Sequence, residues 1–138
     1  MTITLPAEGG CQCGEIRYRL TGEPERLAVC HCTICKRRSG AAFSMSLRMR
    51  AADVQLLSDE TKRWTLLSDD GKRTKIYHFC ATCGIRIWIE LPGLGFVHVK
   101  PGTLDDIARL APRYEGFPAR KLPWLTISGL EASFNTQP

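Results

Sequence analysis

The residues most able to do chemistry are the seven cysteines, which fall into three clusters: Cys11-Gln12-Cys13, Cys30-His31-Cys32-Thr33-Ile34-Cys35 and Cys80-Ala81-Thr82-Cys83. None stands alone, and an odd number cannot all pair internally, so metal ligation is the first reading rather than disulfides. Cys80 and Cys83 are followed by Gly84, and Cys-x-x-Cys-Gly at a tight turn is a zinc knuckle whose glycine permits a positive φ after the second ligand. A tetrahedral site needs two more donors. Residues i and i+2 of an extended chain point the same way, so Cys11 and Cys13, followed by Gly14, can supply them. Cys11, Cys13, Cys80 and Cys83 would then form a closed four-thiolate zinc site that contributes folding energy.

The middle cluster leaves Cys30, Cys32 and Cys35 for a second zinc with three protein ligands and an open fourth position, the layout of a working metal. His31 points away from the metal if Cys30 and Cys32 face it. His78 and His98 sit in strand patterns, where packing is the ordinary role of a histidine. Other readings stay open: both sites could be structural, or Cys80 and Cys83 could act as a redox dithiol, which the flanking glycine and the matching first cluster disfavour.

These clusters must be positioned by short strands. Residues 16–20, 43–50 and 85–91 alternate apolar with other side chains at the period of two of half-buried strands. Weaker strand patterns cover 63–67, 74–79, 95–99 and 124–127. Turn signals at Gly22-Glu23-Pro24, Asp69-Asp70-Gly71, Pro92-Gly93 and Pro101-Gly102 separate them. Helix signal is confined to single turns at 32–38 and 104–110, and 111–123, with three prolines, reads as an irregular crossing. The expectation is a mainly β, mostly antiparallel chain with the clusters in loops at strand ends. Trp64, Trp88 and Trp124 are expected in the core more than on the surface.

Length and composition bound the rest. One domain over residues 1–138 suits a chain with 43% hydrophobic and 24% charged residues. No apolar run approaches the ~20 residues of a membrane span, and residues 1–10 lack the pattern of a signal peptide, so a cytoplasmic location is the default. The formal charge of +5 treats thiols as neutral. Seven zinc-bound thiolates against two Zn²⁺ lower it by three, to about +2, which demands no nucleic-acid partner. Lys36-Arg37-Arg38 is a short basic run of the kind usually solvated.

Gly10-Cys11-Gln12-Cys13-Gly14, Cys30-His31-Cys32-Thr33-Ile34-Cys35-Lys36, Gly40-Ala41-Ala42-Phe43, Phe79-Cys80-Ala81-Thr82-Cys83-Gly84, Gly102-Thr103-Leu104-Asp105-Asp106 and Leu122-Pro123-Trp124 occur in the order found in one family. With these flanks the chain resembles the glutathione-dependent formaldehyde-activating enzyme (GFA) family, also called the centromere protein V family, over about residues 10–134. The resemblance implies an Mss4-like (β-tent) fold of several small antiparallel sheets around a structural zinc. It implies two zinc ions per chain, Cys11, Cys13, Cys80 and Cys83 holding the structural one and Cys30, Cys32 and Cys35 the catalytic one. The implied activity is formation of S-hydroxymethylglutathione from formaldehyde and glutathione, a carbon–sulfur lyase reaction when written in reverse.

The residues suit that chemistry. Three thiolates make a metal electron-rich, a poor activator of water and a good host for an exogenous sulfur, so a substrate thiol there would ionise and attack an aldehyde carbon. Lys36, Arg37 and Arg38 could attract a carboxylate-bearing thiol such as glutathione. The rival expectation is a non-catalytic zinc module that binds a protein or a small thiol, with strand edges and exposed tryptophans marking its surface.

Overall fold

A computed structural model describes residues 3–67 and 71–136; Asp69 and Asp70 of the expected turn lie outside them. The strands are β1 (Ala7–Gly10), β2 (Arg17–Leu20), β3 (Arg26–Cys30), β4 (Ser44–Arg50), β5 (Val54–Leu56), β6 (Lys62–Leu67), β7 (Thr74–Phe79), β8 (Arg86–Glu90), β9 (Phe96–Val99), β10 (Tyr114–Gly116) and β11 (Ala132–Phe134), with one α-helix, α1 (Thr33–Ser39). They form a three-stranded sheet, β1-β2-β5, and an eight-stranded sheet, β11-β10-β3-β4-β9-β8-β7-β6. The chain is therefore mainly β, as expected.

Pairing is antiparallel except around β10, which runs parallel to both β3 and β11. The expected strand at 124–127 is absent: the segment is turn and coil, and Trp124 is 71% exposed. No helix forms at 104–110 either. There Leu104 is buried against the core and bridges to Gly9, and Asp105 is drawn out to Arg17 at 2.6 Å. The crossing at 111–123 contains β10, hydrogen-bonded to a strand nearly ninety residues earlier in the chain.

The centre of the large sheet has two unlike faces. On β3, β4 and β9, Leu27, Leu47, Met49, Val97 and Val99 are buried in the main core, together with Tyr18 and Leu20 of the small sheet. Each such aliphatic side chain contributes roughly 2 kcal/mol on leaving water. Alternation turns Arg26, Ala28 and Cys30 of β3, Ser46 and Arg48 of β4, and Phe96 and His98 of β9 to the opposite face, where they line a cleft. In β8 the period of two fails. The register shifts between His78 and Phe79, Ile87 and Trp88 both enter the main core, and Ile89 and Leu91 form a separate cluster with Tyr77. Trp88 packs edge-on against Tyr18 at 5.9 Å. Of the three tryptophans it alone is buried; Trp64 is 55% exposed on β6.

Candidate metal centres and the cleft between the sheet strands

The β1–β2 hairpin and the turn from β7 to β8 bring the first and third cysteine clusters together. The thiol sulfurs of Cys11, Cys13, Cys80 and Cys83 lie within 4.8 Å of one another. Two of the separations are 3.5 Å (Cys11–Cys13) and 3.6 Å (Cys13–Cys80). Four sulfurs at ~2.3 Å from one zinc would sit about 3.8 Å apart, so the set fits a tetrahedral ion. Gly14 and Gly84 have φ of 85° and 75°, which a side chain would strain. Gly84 N–H closes the knuckle on Cys80 C=O at 2.9 Å. Further N–H groups aim at sulfur: Ile16 to Cys11 at 3.3 Å and Cys83 to Cys80 at 3.5 Å. Backbone hydrogen bonds from Cys13 and Ile85 hold the Cys83 thiol down to about 6. A backbone bond from Glu15 lowers Cys13, but burial and the other three sulfurs outweigh it and push that thiol up to about 12. One sulfur ionises easily and another resists, which is how crowded thiols behave until a cation neutralises them.

Cys30, Cys32 and Cys35 form the second set, also within 4.8 Å and all buried. Cys30 ends β3. Cys32 caps α1, its sulfur accepting from Cys35 N–H at 3.2 Å. Gly40, in the left-handed region, ends the helix, and the basic last turn complements its dipole. The sulfur of Cys35 and then burial push the Cys30 thiol up, and burial and Cys35 raise Cys32. Three thiolates coexist here only beside a cation, and the donor set fits a soft or borderline divalent ion. Both sets could hold metal ions.

His31 is not among these donors. It is fully buried, its Nε2 meets Glu115 of β10 at 3.0 Å, and its backbone N–H donates to Gly116 C=O at 3.1 Å. Burial opposes ionisation of Glu115, yet the Ser133 hydroxyl, His31 and Lys121 together hold its carboxyl below the usual range. His78 is likewise packed, between Thr61 and Glu90 at 2.7 Å each, and His98 lies in the cleft wall. Of the basic run, Arg37 is exposed, and Lys36 Nζ donates to Arg120 C=O. Arg38 turns inward, donating to Tyr77 Oη and to Cys35 Sγ at 3.4 Å.

Three contributors escaped the sequence reading. Phe117 packs against the second cysteine set with φ of 53°, a left-handed conformation unusual for a bulky residue and held by Phe117 N–H to Phe134 C=O at 2.8 Å. Lys100 is half-buried and donates from Nζ to Ser44 Oγ at 2.7 Å. Burial and the charge of Arg38, opposed by Cys35, bring its pKa down to about 8. Glu115 is the third. Each acts through a partner distant in sequence, so local spacing carries no sign of it.

The cleft has a volume of about 330 Å³, and Cys30, Cys35 and Arg38 stand in its wall.

A profile of the glutathione-dependent formaldehyde-activating enzyme family matches residues 6–120. The chain belongs to that family. Both cysteine sets lie inside the matched region. A search of curated proteins found no match. Among solved structures, a Rhodobacter sphaeroides protein determined by structural genomics is similar to the GFA chain, with a TM-score of 0.57, 19% identity, and coverage of 74% of this chain and 91% of that one. That likeness concerns the fold.

Proposed function

We propose that the chain is a zinc-dependent carbon–sulfur lyase or synthase acting on a small thiol adduct, with Cys30, Cys32 and Cys35 holding the working zinc and Cys11, Cys13, Cys80 and Cys83 a structural one. The observation that carries this reading is that two members of the three-cysteine set, Cys30 and Cys35, stand in the wall of the cleft. The four-cysteine set already has the donors a tetrahedral ion needs. In the reaction expected from the family, the sulfur of glutathione adds to formaldehyde. A carbon–sulfur bond forms, the carbonyl π pair moves to oxygen, and the thiol proton is replaced by one on the new hydroxyl. A zinc ion at Cys30, Cys32 and Cys35 supplies positive charge that favours the thiolate of an incoming thiol.

The chain's own groups shape the rest. Arg38 and Lys100 place two cations beside the sulfurs, which keeps an anionic substrate near the set. Phe117 covers the cysteines and limits the access of water to them. The test is exchange NMR between glutathione and S-hydroxymethylglutathione with formaldehyde, run with and without protein because the adduct also forms unaided. Acceleration proportional to protein and lost in Cys32→Ser is expected; no acceleration with both metals present means that another thiol adduct is the substrate or that the site does not catalyse.

A second reading, a non-catalytic zinc module, draws on the exposure of Trp64 and Trp124. A stable protein complex together with no turnover of thiol adducts would favour it.

A further inference from the structure

The cleft carries more positive charge than the cysteine set requires. Arg26, Arg38, Arg48, Arg73 and Lys75 line it, and among the described residues no Asp or Glu does. The cations at the cysteine end have partners: Arg38 donates to Cys35, and Lys100 feels Cys35 and Cys30. The far end is different. Arg26 and Arg48 stand directly opposite each other across β3 and β4. Like charges so placed destabilise a sheet. Arg48 stacks over Phe96 at 3.6 Å and meets Glu25, outside the cleft, at 2.8 Å. Arg26 lies over the ring of Tyr114. Arg73 and Lys75 add two further cations to this wall, and Glu25 is the carboxylate that meets Arg48. Burial, followed by the charges of Lys100, Arg48, Arg26 and Lys75, depresses His98 to about 3, so the imidazole adds no charge of its own. Four steps along β3 lead from Arg26 to Cys30, about 13 Å at ~3.3 Å per residue. A molecule the size of a short peptide spans that distance.

We propose that the cleft takes a thiol adduct carrying two negative charges and no ammonium group, its anionic end held by Arg26, Arg48 and Lys75. Glutathione itself fits this poorly. It has two carboxylates but also an ammonium, which would enter a wall of cations where no acid among the described residues lines the cleft to receive it. The placement of sulfur at the cysteine end rests on the function proposed above; the charge requirement rests on the cleft alone. Glu25 and the ring of Tyr114 relieve part of the repulsion between the opposed arginines, and a bound dianion adds to that relief.

The experiment is calorimetric binding to the zinc-loaded full chain. It compares S-methylglutathione with its N-acetyl derivative, which keeps the span and both carboxylates and loses the ammonium. Neither probe can ionise at sulfur or turn over. The N-acetyl form is expected to bind on the order of tenfold tighter. That preference should fall below about threefold in Arg48→Gln and survive in Arg37→Gln, whose side chain is exposed. Where Arg48→Gln does not fold, Arg26→Gln and Lys75→Gln carry the same test. Equal or weaker binding of the N-acetyl form, a preference that persists in all the cleft variants, or no measurable binding of either probe overturns the proposal. Turnover is read separately: absent turnover with the preference intact removes the lyase reading alone, and turnover of glutathione with the preference reversed removes the charge requirement alone.

Discussion

The two cysteine sets are made of the same donor atoms but embedded differently. Cys11 and Cys80 belong to the main hydrophobic core, and their set ties the β1–β2 hairpin to the β7–β8 turn across nearly seventy residues. Cys30, Cys32 and Cys35 come from six consecutive residues, form a small cluster of their own with Phe117, and border a cleft. Closing a long loop removes more chain entropy than closing a short one, so metal at the first set should stabilise the fold far more. Under the proposed roles, metal at the second should be exchangeable at little cost to the fold. The difference teaches that donor count alone does not assign a role; what each site joins does.

The sharpest way to break this comparison is Cys80→Ser. Structural zinc is worth on the order of 10 kcal/mol, comparable to the whole stability of a domain, so the variant should be unfolded by circular dichroism. A cooperative native-like melt would dissolve the distinction. Cys32→Ser should lose one metal per chain by elemental analysis while melting within about 2 kcal/mol of the parent, since it severs only a local link. Collapse of its fold would make both sites structural.

The buried pair between His31 and Glu115 sharpens the picture, because it tethers the second set to β10. Glu115→Ala strands a buried imidazole and should cost about 3 kcal/mol in urea unfolding, more than Cys32→Ser. The smallest effect is on pH. The carboxyl of Glu115 is lowered in the fold, so its stabilisation is complete above the ordinary glutamate range and is lost as pH falls through the lowered value. The stability gap between parent and Glu115→Gln should therefore narrow once pH drops below ~4.3. A gap that widens with acid would mean that Glu115 is not held ionised.

Much of this was legible in residues. The knuckle glycine, the i, i+2 spacing of Cys11 and Cys13, and the alternation of Met45, Leu47 and Met49 each encode local geometry that the fold keeps. The cleft was hidden in the same alternation. Ser46 and Arg48 look like the solvated side of a half-buried strand, and nothing local distinguishes solvent from a cleft wall built with β3 and β9. β10 and β11 were unreadable for a related reason: three-residue strands have no period, and pairing with β3 supplies what their own sequence lacks. Trp124 shows the converse, since an apolar pattern over four residues is too short to prove burial.

The register of the central strands has a consequence for how this protein can change over evolutionary time. On β3, β4 and β9 the even-numbered Arg26, Ala28, Cys30, Ser46, Arg48, Phe96 and His98 line the cleft, and the odd-numbered Leu27, Leu47, Met49, Val97 and Val99 belong to the core. Inserting or deleting one residue within any of these strands would send arginines inward and leucines outward together. New ligand preferences can therefore arise here by exchanging side chains at even positions, while changes of length are confined to the loops that join the strands.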